Sequence, residues 1–174
     1  MLTEYLTTAV HSPWGEFTVI TAPQGLVFVG SPGRVGLNEW QQFAPQWRTV
    51  AAAPMPSDQA VALQMAFTAY FTGAQHTVQW PLAPFSTGTP QQQQVWQALA
   101  AVPYGTTISY TALAARCGLA HAVRAVASAV GKNPLLIVLP CHRIVRQDGS
   151  VGQYRAGTAM KQQLITFEHD QLTV

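Results

Sequence analysis

Apolar and polar residues alternate from Tyr5 to His11 and again from Glu16 to Ala22, on either side of the turn cluster Ser12-Pro13-Trp14-Gly15. A period of two interrupted by proline and glycine predicts a β-hairpin. Pro23-Gln24-Gly25 makes a second turn into Leu26-Val27-Phe28-Val29, which gives a third short antiparallel strand. A stretch rich in Gly, Pro and Ala follows, with one helix near Leu37 to Phe43 and a loop at Pro54-Met55-Pro56. Ser57 is expected to cap a helix over Asp58 to Phe71 with Val61, Met65, Thr68 and Tyr70-Phe71 on its apolar face, and Gly73 to end it.

Trp80-Pro81-Leu82-Ala83-Pro84-Phe85-Ser86-Thr87-Gly88 has the composition of a linker, which divides the chain into residues 1–86 and 87–174. Thr89-Pro90-Gln91-Gln92 has the form of a capping box with proline in the first turn. It opens a helix through Val95, Trp96, Leu99 and Val102, so Gln91 to Gln94 form a polar helical turn rather than a low-complexity tract. Ser109 to Cys117, the turn Gly118-Leu119-Ala120 and His121 to Val130 then read as helix, turn and helix. The second helix presents small side chains, with Arg124 as its one long basic projection. After Asn133-Pro134, the run Leu135 to Leu139 predicts a buried strand or extended segment that Pro140 stops. Asp148-Gly149-Ser150 is a turn, residues 151–157 a loop, and Thr158 to His169 a last helix with Leu164, Ile165 and Phe167 on one side.

Cys141 therefore stands where an apolar segment ends, beside His142 and Arg143. These neighbours suit two readings: a buried structural cysteine followed by a surface pair, or a thiol whose nucleophilic thiolate form is favoured. Glu168 lies near the end of the last helix, where the helix dipole opposes an acid, so it needs a partner such as an imidazole. The first half presents no catalytic set.

Composition narrows the setting. Charged residues are 9% of the 174, yet no apolar run reaches the ~18–20 residues of a membrane span. The N-terminal residues lack the pattern of a signal peptide, so a soluble cytoplasmic protein without membrane contact is expected. Cys117 and Cys141 are expected to be free thiols, and their spacing from His121 and His142 forms no zinc signature, so no metal is expected. The net charge of +2 is unevenly spread: Arg116, Arg124, Lys132, Arg143, Arg146, Arg155 and Lys161 face only Asp148, Glu168 and Asp170 after residue 86. Either a polyanionic partner on that half or a solvated basic face accounts for this.

Pro140-Cys141-His142-Arg143-Ile144-Val145, with Ser109-Tyr110, Arg124-Ala125-Val126, Asn133-Pro134 and Glu168 at matching intervals, resembles the O6-alkylguanine-DNA alkyltransferases, or methylated-DNA–protein-cysteine methyltransferases. The resemblance covers about residues 86 to 170. It is looser before that, in Ser12-Pro13-Trp14-Gly15 and Tyr70-Phe71-Thr72-Gly73.

The resemblance implies an α+β chain: a structural N-terminal domain with a small antiparallel sheet and helices, ribonuclease H-like, and a mostly helical, winged helix-turn-helix-like C-terminal domain. It implies a monomer that acts once, without a cofactor, on double-stranded DNA containing O6-alkylguanine, with O4-methylthymine as a further candidate substrate. Ala122, Val123, Arg124, Ala125 and Ser128 would meet the minor groove, with Arg124 filling the space of the flipped base. Cys141 would take the alkyl group, His142 its proton through a water, and Glu168 would orient the imidazole. Tyr110 would protonate the leaving purine and touch DNA, and Asn133 would hold the turns before the cysteine. Pro140, Ile144, Tyr154, Arg155, Ala156 and Gly157 would line the base pocket. Gln91 and Gln93 replace a Phe and a basic residue common in the family, Val123 replaces an alanine, and Arg155-Ala156 replaces a serine-or-alanine then glycine pair, which implies a narrower pocket. The different-class alternative is a lesion sensor of the alkyltransferase-like type, which has tryptophan or another residue in place of the cysteine; a cysteine hydrolase would need an oxyanion hole that the sequence does not suggest.

Overall fold

Ser12 closes the first hairpin: its hydroxyl accepts from the Trp14 amide at 3.0 Å and donates to the Gly15 carbonyl at 2.7 Å. Gly15 takes φ +116°, a region that only glycine enters cheaply. β1 (Leu6–Ser12) and β2 (Gly15–Ala22) pair antiparallel with Val10 opposite Phe17, and β3 (Gly25–Val29) pairs with β2. The computed structural model describes residues 4–33 and 38–173, so Leu37 lies outside the described residues, and α1 is Asn38–Phe43. A two-residue strand β4 (Ala53–Pro54) adds to β1 in parallel, giving the sheet order β3-β2-β1-β4.

The chain forms two compact units, Met1–Thr87 with Pro134–Leu136, and Gly88–Asn133 with Ile137–Val174. In the first, Ile20, Phe28, Trp40, Ala44 and Trp47 make one buried cluster. α2 (Ser57–Phe71) differs from the reading of the sequence in two respects. Its N-cap is Pro56, with Ser57 already helical and making no side-chain cap. Its core face is Leu63, Phe67, Tyr70 and Phe71, whereas Val61 and Met65 are 59% and 67% exposed. The heavier stripe at Leu63, Phe67 and Tyr70 buries more apolar area than the lighter one, and that decides which way the helix turns. Gly73, at φ +74°, ends the helix as expected. The linker-like residues are also less free than their composition implies: Leu26 N–H donates to the Pro81 carbonyl at 2.8 Å and Ala83 N–H to the Leu26 carbonyl at 3.0 Å.

The second unit opens with α3 (Pro90–Leu99), capped as its sequence predicts. The Thr89 hydroxyl accepts from the Gln92 amide, and the Gln92 side chain accepts from the Thr89 amide at 2.9 Å. Val95, Trp96 and Leu99 are buried, and Trp96 Nε1 donates to the Ala129 carbonyl at 2.8 Å. β5 (Ile108–Ser109) leads into α4 (Tyr110–Arg116), whose cap is the Ser109 hydroxyl. α5 (Val123–Gly131) starts two residues later than expected, after Ala122 as cap. β6 (Ile144–Val145) pairs parallel with β5, and α6 (Thr158–Leu172) closes the unit. α6 runs three residues past His169. Its buried positions are Met160, Lys161, Leu164 and Glu168, while Ile165 and Phe167 are only half-buried.

The segment before Cys141 is not a strand. Leu135 makes a single bridge to Val29, residues 136–138 turn, and Ile137 adopts φ +70°. A β-branched residue in the left-handed region costs of order 1–3 kcal/mol and persists only where its surroundings fix it. Here Ile137 is 3% exposed, and the Asn133 side chain holds the Leu139 carbonyl at 2.8 Å. Prolines at 134 and 140 withhold two of the N–H groups that a ladder would need. No helix among the described residues is long and apolar enough to cross a membrane.

Candidate functional site

The turn at Leu136–Leu139 delivers Cys141 into a 3-10 turn, Cys141–Arg143, all of whose side chains are buried. Asn133, itself 1% exposed, sits between the end of α5 and this turn. Its Nδ2 donates to the Leu139 carbonyl at 2.8 Å and to Cys141 Sγ at 3.1 Å, so one amide group both shapes the turn and contacts the sulfur.

His142 faces α6. Its Nε2 lies 2.8 Å from Glu168 Oε1. Arg143 grips the same carboxylate with two donors, Nε to Oε2 and Nη2 to Oε1, both at 2.8 Å, and Nη1 donates to the Val102 carbonyl at 2.6 Å. The Gly105 amide adds a further donor to Oε2 at 3.0 Å. The acid near a helix C-terminus is thus balanced by partners outside its helix. Burial pushes the Glu168 carboxyl up, but the hydrogen bonds from His142 and Arg143 and the charge of the Arg143 guanidinium outweigh it and hold the group well below the usual carboxylate range. Burial lowers the pKa of His142 in spite of the Glu168 contact. The neutral imidazole therefore donates its Nε2–H to the carboxylate in a hydrogen bond, which leaves Nδ1 as the acceptor; that atom is buried without a protein hydrogen-bond partner among the described residues.

Burial pushes the Cys141 thiol up, while the Asn133 amide, Arg155 and Lys161 pull the other way. The resting sulfur is a thiol, and its activation requires a base. Tyr110, at the start of α4, is half-buried, with its phenol pKa raised by burial and then by Cys141. Tyr154 encloses its hydroxyl, whose pKa burial raises further. Pro140 and Ile144 are buried, Arg155 and Ala156 are half-buried, and Gly157 is exposed at φ +94°.

Arg124, Ala125 and Ser128 share the exposed face of α5, with Ala122 and Val123 half-buried at its start. This places a single long cation among small side chains. The buried Lys161 escaped the reading of the sequence, as did the full role of Arg143, which reads there only as a nearby charge. The signal for Lys161 lay in its spacing, three before Leu164 and seven before Glu168, which puts it on their helix face.

A family model described as 6-O-methylguanine DNA methyltransferase, DNA binding domain, matches residues 90–170. The chain is 58% identical over 81 residues to the regulatory protein ada of Salmonella typhimurium, but that match spans only 23% of the relative's length. It is 34% identical over 166 residues to the inducible methylated-DNA–protein-cysteine methyltransferase of Bacillus subtilis, covering 95% of this chain and 90% of that one. Among solved structures, the Mycobacterium tuberculosis OGT in complex with DNA superposes with a TM-score of 0.77 at 31% identity, covering 97% of this chain and 94% of that one.

Proposed function

The chain belongs to the methylated-DNA–protein-cysteine methyltransferase family, and on that premise we propose that it moves a methyl or larger alkyl group from guanine O6 in duplex DNA to its own Cys141. The observation that carries the reading is the Asn133–Cys141 contact beside a His142 whose Nε2 is committed to Glu168. In this arrangement Nδ1 of His142 takes the thiol proton through a water, and Glu168 stabilises the imidazolium. The thiolate attacks the alkyl carbon, the S–C bond forms as the C–O6 bond breaks, and Tyr110 gives a proton to the departing purine. A thioether is a poor leaving group towards water, so each molecule acts once.

Residues 87–174 carry the chemistry and the helix-turn-helix, and residues 1–86 serve as a structural domain. The α5 face with Arg124 enters the minor groove, where small side chains permit close approach and the guanidinium replaces the flipped base. Pro140, Ile144 and residues 154–157 receive that base. The protein acts as a monomer in the cytoplasm, where reducing conditions keep Cys117 and Cys141 as free thiols.

The test is to incubate excess protein with a duplex containing O6-methylguanine and measure intact and peptide masses. One added methylene on the peptide with Cys141, stopping at one equivalent, is expected. Turnover beyond one equivalent, or tight binding without an adduct, overturns the reading.

A further inference from the structure

The α6 face that carries Glu168 also buries an amine. Lys161 has no exposed surface, and its Nζ donates to the Ile144 carbonyl and, at 3.3 Å, to that of Gln153. The ammonium lies 5.6 Å from the centroid of the Tyr110 ring. Among the described residues no carboxylate lies within ion-pair distance of it. A buried cation without a counter-charge is costly, and two carbonyls and a ring face compensate only part of that cost. The anion that the chemistry creates is the sulfur of Cys141, three residues before Ile144, and it interacts electrostatically both with Lys161 and with the Tyr110 that Lys161 touches.

We infer that Lys161 is the internal counter-ion of the Cys141 thiolate and the positioning residue that holds the Ile144 backbone, the 151–157 loop and Tyr110 around it. This rests on Cys141 being the nucleophile. Each charge favours the ionised form of the other, so the two groups titrate as a pair. Burial lowers Lys161 to about 8, with Cys141 opposing the shift and Arg146 adding to it. The remaining groups that face the pair are Tyr110 and Tyr154, whose phenols are held protonated, His142, which burial keeps neutral, and Arg155 on the sulfur side. Alkyl transfer turns the sulfur into a neutral thioether, so Lys161 loses its counter-charge at the moment the protein is spent.

The test needs no DNA. The rate of iodoacetamide addition to Cys141, read by peptide mass apart from Cys117, is followed against pH in the full chain. In Lys161→Met the pH midpoint is expected to rise by about one unit, so that reaction near neutral pH slows ~10-fold, and Lys161→Arg is expected to restore it. An unchanged profile in a folded Lys161→Met protein overturns the inference. If that variant does not fold, the titration is read directly. The sequence has only two lysines, 132 and 161, and the Cε resonance of Lys161 in lysine-labelled protein is expected to titrate at a lower pH in Cys141→Ala than in the parent. Equal midpoints overturn the inference. Failure of methyl transfer from DNA with an intact lysine-dependent profile would instead refute the repair activity alone.

Discussion

Asn133 Nδ2 stands 3.1 Å from the Cys141 sulfur and 2.8 Å from the Leu139 carbonyl, so a single amide links the shape of the turn to the reactivity of the thiol. Asn133→Ala leaves the buried Leu139 carbonyl without this donor, which is expected to cost ~1–3 kcal/mol in urea denaturation. The thiolate loses a donor as well. Iodoacetamide addition to Cys141 is therefore expected to slow at neutral pH. A variant that loses stability but keeps the parent rate would show that the contact is purely structural.

Glu168 supports two side chains at once, and Glu168→Gln is expected to expose the difference between them. Arg143 would remain buried beside a neutral amide, a loss of ~3–5 kcal/mol for a broken buried pair. His142 would keep an acceptor but lose the charge that stabilises its protonated form, so alkyl transfer is expected to fall by ~10²-fold, the low end of general-base effects. Stopped-flow transfer from labelled duplex and guanidinium unfolding measure the two losses separately.

Stability is expected to fall in acid in two stages. His142 has a folded pKa below its ordinary 6.5, so the unfolded chain binds its proton first and stability declines as pH drops below that value. Glu168 is likewise depressed from its ordinary 4.5, and its contribution, present above that value, is lost as pH falls further. Urea midpoints between neutral pH and pH 3 would show both limbs. In Glu168→Gln the lower limb is expected to disappear, and its persistence would assign acid unfolding to other groups.

Arg124 sits on the exposed face of α5, whereas Cys141 and its partners are buried. Arg124→Ala is expected to slow repair of duplex DNA much more than reaction with a free-base pseudosubstrate, because only the duplex has a vacated stack to fill. Equal losses on the two substrates would remove that role.

The reciprocal cap on α3 gives a local check of the fold. Thr89→Ala breaks the bond from the Gln92 amide, and a loss of ~1 kcal/mol is expected by thermal or urea denaturation. Gln92→Ala removes the return bond to the Thr89 amide, and the two changes are expected not to add, since each bond holds the other in place.

That cap was legible because every atom it needs lies within four residues, and the turn of the first hairpin, Ser12 to Gly15, was legible for the same reason. The core face of α2 was not. Val61 and Met65 have helical spacing just as Leu63 and Phe67 do, and only packing against the sheet selects between the two stripes. The Leu135–Leu139 turn was missed because an aliphatic run carries the signature of a strand, while the hydrogen bond that bends it comes from Asn133, outside the run. Cys141, His142 and Glu168 could be matched by spacing. The bidentate grip of Arg143 on Glu168 and the burial of Lys161 depend on where α6 lies, which no local pattern encodes.

Pro134–Leu136 belongs with the first unit although it lies deep in the second half of the sequence, with the Val29 amide donating to the Pro134 carbonyl at 2.9 Å. Spatial modules and sequence segments are therefore interleaved in this chain. A fragment that begins at residue 88 would carry the nucleophile but would strand three residues of its lead-in without the strand edge that receives them. Exchange of C-terminal halves between relatives is then constrained by the match at Val29 as much as by the cysteine motif itself.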